Sequence, residues 1–116
     1  MKKFRLTLIT ENQNSIDKGK RFADLICETL DYEKKYEISK YEKFENSYRI
    51  EIVGDFKNRN DLILESIELT DRIASPWIVR FDKNENKIEL MFDKTDNSVY
   101  RNIKFNVLIW ANFEIE

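Results

Sequence analysis

Short apolar alternations, interrupted twice by helical periodicity, constrain the fold of this chain more than any other feature. Phe4, Leu6 and Leu8 alternate with less apolar neighbours, and the same period of two returns over Tyr48 to Gly54. Successive side chains of a strand point to opposite faces of a sheet, so this spacing is typical of strands with one buried face. The sequence therefore predicts a sheet that needs a cover on one side.

The first helical segment follows the first strand. Asn14 is a candidate N-cap, with Asp17 three residues later, and the predicted helix runs to about Asp31. Leu25 projects roughly opposite the apolar face and is a candidate anchor for a partner. The predicted buried face consists of Ile16, Ala23, Ile26, Cys27 and Leu30.

A second helix is predicted between a cap at Asn58 or Asn60 and about Ala74, where Ser75-Pro76 ends it. At about 100° per residue, four charged residues share one outer face of this helix. These are Asp61, Glu65, Glu68 and Arg72. The predicted inner side carries Leu62, Ile63, Ile67, Leu69 and Ile73.

The remaining apolar alternations predict further strands. They lie at Tyr36 to Phe44, Trp77 to Phe81, Ile88 to Phe92 and, after a polar loop over 93–102, Ile103 to Ile115. The order β-α-β-β-α-β matches the ferredoxin-like unit, and two strands follow it. We therefore expect one α+β domain over residues 1–116, with both helices on one face of a ferredoxin-like sheet that a C-terminal β-hairpin extends.

The composition argues against most enzyme classes. The chain of 116 residues has no histidine, one cysteine and two glycines, so common acid–base groups, metal ligands and phosphate-binding loops are scarce. We expect no catalytic residue, no metal and no cofactor. The lone Cys27 is typical of a reducing cytoplasm, and no apolar run reaches the length of a membrane span.

Two surfaces are candidate binding sites. The charged stripe of the second helix is suited to a basic protein, although acids near a helix N-terminus also suit the helix dipole as a solvated face. Trp110 is predicted on the open sheet face, either as an interface anchor or covered by the 93–102 loop. Arginines such as Arg49 on that face leave nucleic-acid binding as an alternative, and cross-strand ion pairing is the simpler account. The modest net charge of −2 gives no basic footprint.

A third alternative is a small metal-dependent enzyme. The carboxylates that would serve it are Asp93, Asp96, Glu114 and Glu116. Their spacing matches no loop with a known coordination logic.

In size, charge density, scarcity of catalytic residues and α+β pattern, the chain resembles bacterial immunity proteins of contact-dependent and other polymorphic toxin systems. The acidic helix Asp61–Arg72 and the aromatic final strand Phe105–Phe113 carry this resemblance. It implies a cytoplasmic inhibitor that covers the active site of a cognate toxin domain, often a basic nuclease. The partner contacts would come from the charged stripe, with Trp110 or Leu25 as apolar anchors.

Overall fold

The computed structural model describes residues 2–58 and 60–116 and confirms the predicted α+β class. Two α-helices and a six-stranded antiparallel sheet surround one hydrophobic core. The strands are β1 (Lys3–Thr10), β2 (Tyr36–Lys40), β3 (Tyr48–Asp55), β4 (Ala74–Ser75), β5 (Ile78–Asp82), β6 (Lys87–Asp93), β7 (Val99–Tyr100) and β8 (Leu108–Ile115). The helices are α1 (Ile16–Leu30), α2 (Leu62–Asp71) and a 3-10 helix (Ile103–Val107).

The order of strands in the sheet is β2-β3-β1-β8-β6-β5, while β4 and β7 form a separate two-stranded ladder. The predicted ferredoxin-like order is not confirmed. The last two predicted strands do pair antiparallel, as β6 with β8, but they are not a hairpin added at the edge of the sheet. The last strand, β8, lies inside the sheet between β1 and β6, and the β5–β6 hairpin forms one edge. The central position of β8 agrees with the complete burial of Ala111 and Phe113, since apolar side chains are buried most fully in the interior strands of a sheet.

The core lies between one face of the sheet and both helices. Phe4 of β1 stacks on Phe113 of β8 with ring centroids 4.9 Å apart, and Phe56 packs edge-on against both rings. Gly54 of β3 permits this packing, because a Cβ there would lie 2.6 Å from Cζ of Phe4. The ring cluster therefore depends on a residue without a side chain.

Helix α1 agrees with its predicted extent, with two corrections. Its N-cap is Ser15 rather than Asn14, and the Ser15 hydroxyl accepts a hydrogen bond from the Lys18 amide at 3.3 Å. Ile16, predicted in the buried face, is exposed because it opens the first turn of the helix. Phe22 takes its place in the core.

The segment before β8 is the largest local correction. A strand was predicted from Ile103, but residues 103–107 form a 3-10 helix whose N-cap, Asn102, accepts from the Lys104 amide at 2.9 Å. Phe105 points into the core, and Ile103 is 82% exposed. The register of β8 against β1 shifts near Thr10, so that Leu108, which a regular alternation with Trp110 would place on the open face, is fully buried. Strand β2 also ends early, at Lys40.

Across the residues described, no helix combines the length and the apolar content needed to cross a membrane.

Candidate functional site

Helix α2 presents a different face to solvent from the predicted one. Its buried positions include polar residues, namely Glu65, Ser66 and Thr70 beside Leu69. Its exposed positions include three apolar residues, Ile63, Leu64 and Ile67, each close to half exposed. We call these three residues the α2 apolar patch. The prediction that Ile63 and Ile67 face the core is wrong, and so is the prediction that Glu65 faces solvent.

Hydrogen bonds made by the buried polar groups account for this orientation of α2, which is rotated about the helix axis relative to the predicted one. The Glu65 carboxylate accepts the backbone N–H groups of Lys57 at 2.8 Å and of Asn58 at 2.5 Å, so it ties the loop before α2 to the helix. The hydroxyls of Ser66 and Thr70 donate to carbonyls one turn earlier in the helix, at 2.7 and 2.9 Å. Buried polar groups that are paired in this way cost little, whereas unpaired ones are expensive. The polar face of α2 is therefore satisfied inside the protein.

The other members of the predicted charged stripe have separate tasks. Asp61 is the N-cap of α2 and accepts from the Leu64 amide at 2.9 Å. Arg72 donates to the carbonyl of Leu30 at 3.3 Å, which is one of the last carbonyls of α1. Glu68 is exposed, and no ion pair joins it to Arg72 among the described residues.

Glu65, Glu68 and Arg72 still share a groove of about 270 Å³ between α2 and the end of α1. Its other wall holds Tyr32, whose ring lies 4.6 Å from the Lys57 ammonium. Burial, aided by the negative charge of Glu65, raises the pKa of Tyr32 to about 12. The phenol therefore stays neutral at physiological pH.

Leu25 and Trp110 lie on two further surfaces. Leu25 packs partly against the core and lines a groove of about 510 Å³ between α1 and Val107. Trp110 stands on the open sheet face, opposite Ile9 of β1, in a groove of about 740 Å³. The three grooves share no lining residue. The structure therefore does not bring the six predicted partner-binding residues together in one site.

The groove around Trp110 is aromatic on one wall. Tyr41 and Phe44, from the turn between β2 and β3, contact each other with ring centroids 5.9 Å apart, and both line the groove. Trp110 is half-buried, with Asp93 and Lys94 beside it, so the segment after β6 covers it only in part. This arrangement offers flat stacking surfaces in an otherwise polar groove.

The arginines of the open face are largely committed to ion pairs. Arg5 and Arg49 both bind Glu51, at 2.5 and 3.0 Å, and Arg5 also binds Glu116 at 2.6 Å. Burial alone would raise the pKa of Glu51, but hydrogen bonds from the two arginines outweigh it and lower that pKa. The cross-strand ion pairing considered from the sequence is present.

One buried polar atom of the open face lacks a partner. Oδ1 of Asn112 has no hydrogen bond within the described part of the chain, while its Nδ2 donates to Glu114 at 2.8 Å. Asn112 lies at the base of the groove around Trp110. Such an atom lowers the stability of the fold, because it has lost its contact with water and gains no hydrogen bond in exchange.

The carboxylates considered for a metal do not assemble into a site. No group of three or more histidine, cysteine, aspartate or glutamate residues could hold a metal ion within residues 2–58 and 60–116. Asp93 and Glu114 line the groove around Trp110, but Asp96 and Glu116 are elsewhere.

Two exposed apolar surfaces were not predicted from the sequence. One is the α2 apolar patch, and the other is strand β5, in which every residue is exposed. The sequence contains an indication of the β5 surface. Ile78 lies on one face of the strand and Val79 and Phe81 on the other, so an edge position exposes apolar side chains.

Comparisons of the chain with protein-family models, with curated proteins and with solved structures found no match.

Proposed function

We propose that this protein is a cytoplasmic immunity protein that binds a cognate bacterial toxin domain and neutralises it by covering the toxin's active site, without chemistry of its own. The observation that carries the proposal is the rotation of α2, which buries satisfied polar groups and leaves the α2 apolar patch in solvent. A protein surface that concentrates apolar side chains in this way is typical of an interaction site.

The surroundings of the patch favour a basic partner. Asp61 and Glu68 are exposed on the same outer side of α2, next to Leu64 in the helical projection. An apolar centre with an acidic rim gives a partner both buried contact area and electrostatic steering. A nuclease with a basic substrate-binding surface would match this pattern, and such a toxin is the partner that we propose.

Co-expression with a candidate toxin domain from the neighbouring genes tests the proposal through growth protection and co-purification. We expect the double substitution I63K/I67K to abolish both, because it places two charges in the proposed contact. The matched control is Ile103→Lys, an exposed isoleucine on the 3-10 helix, which should leave both intact. Equal protection by I63K/I67K would move the interface away from α2.

Glu68→Lys examines the electrostatic part separately. Because Glu68 lies at the rim, the substitution should slow association with a basic toxin and leave the dissociation rate nearly unchanged. An unchanged association rate would contradict the acidic-rim argument without affecting the apolar one.

A nucleic-acid-binding module is the second candidate, and the groove around Trp110 favours it. Tyr41, Phe44 and Trp110 supply stacking surfaces in a groove on the open sheet face. Binding of single-stranded RNA that weakens with salt and is lost on Trp110→Ala would support this function. The pairing of Arg5 and Arg49 with Glu51 reduces the positive charge offered to phosphates, so we place this candidate second.

For the fold, we propose that β1, α1, β2, β3, α2 and β8 are a ferredoxin-like core into which the β5–β6 hairpin is inserted. The adjacent order β2-β3-β1-β8, antiparallel throughout, supports this proposal.

A further inference from the structure

The two edges of the sheet differ in their protection. At one edge, β2 carries Glu37, Ser39 and Lys40, and charged or polar side chains are a common device against unwanted strand pairing. At the other edge, β5 carries Ile78, Val79 and Phe81, which are 64%, 57% and 54% exposed. An edge strand that exposes apolar side chains on both faces is a template for another strand.

The charges of β5 are arranged symmetrically about Phe81. Arg80 precedes this residue and Asp82 follows it. If two copies of β5 pair antiparallel around a two-fold axis at Phe81, Arg80 of each copy stands directly opposite Asp82 of the other. A register centred on Arg80 would instead place two arginines face to face, which is unfavourable. Of these two registers, the charges favour the one centred on Phe81.

The neighbouring strand continues this pattern. Within one chain, Arg80 is opposite Glu89 of β6, and Asp82 is opposite Lys87. In the paired arrangement the charges across four strands would alternate as Glu89, Arg80, Asp82 and Lys87, with the last two from the second copy. Alternation of this kind is favourable along a row of cross-strand neighbours.

On the other face of β5 the centre of this register is apolar, while Val79 lies opposite Lys83 in the turn of the second copy. Phe81 is opposite Ile88 of β6. Across the four strands of the dimer, the neighbouring side chains would therefore be Ile88 and Phe81 of one copy, followed by Phe81 and Ile88 of the other. The two phenylalanine rings, now about half exposed, would cover each other.

We propose that β5 is a self-association edge at which a second copy of this chain pairs antiparallel in the register centred on Phe81, giving a twelve-stranded continuous sheet with two-fold symmetry. The contact is isologous, since the same strand serves both copies. Because the paired segment is short, the dimer is weak and depends on protein concentration.

Sedimentation velocity between about 10 µM and 1 mM measures the association, since this range brackets weak contacts. We expect the wild-type protein to shift from monomer to dimer over this range. Arg80→Asp and Asp82→Arg should each weaken association by about tenfold or more, since each places like charges opposite one another twice in the dimer. The control is Lys40→Asp on the β2 edge, which should associate like wild type.

Mixing the two variants is the decisive measurement. A copy with Arg80→Asp carries two acids, and a copy with Asp82→Arg carries two arginines, so the mixed pair regains two attractive contacts. We expect the equimolar mixture to form a heterodimer at concentrations where each variant alone is monomeric. Circular dichroism checks that both variants are folded.

Wild-type protein that stays monomeric at the highest concentration overturns the proposal. Variants that associate as wild type does, or a mixture of folded variants that stays monomeric, overturn the register. Hydrogen exchange on the wild-type protein gives an independent reading that needs no variant. Amides of β5 that point away from β6 should gain protection as concentration rises, and constant exchange rates would contradict strand pairing.

Discussion

Glu65 offers the sharpest test of how this fold is held together. The residue is about 9% exposed, and its two carboxylate oxygens accept one backbone N–H each, from Lys57 and Asn58. Glu65→Gln keeps the size of the side chain but replaces one oxygen by an NH₂ group. One backbone N–H then loses its acceptor and faces another donor.

The magnitude follows from the contacts. A hydrogen bond to a charged group contributes about 1.5–3 kcal/mol. Lys57 and Asn58 are exposed residues, so water can reach part of the stranded N–H and reduce the loss. We therefore expect Glu65→Gln to lower the free energy of unfolding by about 2 kcal/mol, and Glu65→Ala, which removes both acceptors, by about 3–4 kcal/mol.

Urea unfolding followed by circular dichroism measures these differences. Glu68→Gln is the matched control, because it makes the same chemical change one turn later at an exposed position, and its effect should stay within about 0.5 kcal/mol. Hydrogen exchange at the amides of Lys57 and Asn58 should also accelerate in Glu65→Gln. If the two glutamine variants unfold at the same urea concentration, the carboxylate does not anchor the loop and the reasoning is refuted.

Three further perturbations test other parts of the structure. Gly54→Ala should destabilise the protein by about 1–3 kcal/mol in thermal unfolding, since a Cβ would lie 2.6 Å from the Phe4 ring. Gly19→Ala should stay within about 1 kcal/mol, since its Cβ would meet the movable end of the Ile38 side chain at 2.8 Å and the Tyr48 ring at 3.4 Å; equal losses would contradict this packing argument. The pKa of Glu51 is lower in the folded state than its ordinary value of 4.5. Its contribution to stability is therefore present above pH 4.5 and is lost as the pH falls through the folded pKa. The acid side of a stability–pH curve should be flatter in Glu51→Gln, and an unchanged curve would refute the role of its ion pairs. Burial raises the pKa of the Cys27 thiol, so alkylation by iodoacetamide should be slower in the folded than in the urea-unfolded protein by about a hundredfold or more, and equal rates would show that the site is open.

Local periodicity predicted the elements whose burial is regular. Strands β1 and β3 and helix α1 lie close to their predicted positions, because each has one face wholly against the core. In such elements the alternation of apolar residues is a direct consequence of burial, and the sequence alone contains it.

Helix α2 could not be oriented from its apolar residues. A hydrophobic stripe predicts Ile63 and Ile67 inside, but the bonds from the Lys57 and Asn58 amides draw Glu65 inward instead. These are contacts to a loop, and no period along the helix encodes them. The predicted N-cap, Asn58 or Asn60, is wrong, because Asp61, which also belongs to the residue types that favour this position, caps the helix.

The placement of β8 depended on long-range pairing. Its own sequence predicted a strand, but its neighbours are β1, which begins the chain, and β6. The false extension to Ile103 arose because a period of two cannot distinguish a strand from the 3-10 turn that precedes it. Asn102 was the available signal, because its side chain caps that turn.

The burial of Glu65 and the exposure of the α2 apolar patch both result from the orientation of α2 about its axis. Turning the helix to bury Ile63 and Ile67 would remove Glu65 from its two backbone donors, so the carboxylate holds the patch in solvent. Stability and partner binding should then respond to different substitutions. Glu65→Gln should lose stability while the folded protein still binds the toxin domain, and I63K/I67K should lose binding while keeping stability within about 1 kcal/mol, as expected for exposed positions. A folded Glu65→Gln variant that fails to bind, with a patch variant that binds normally, would show that the binding surface is the groove beside Glu65 rather than the patch.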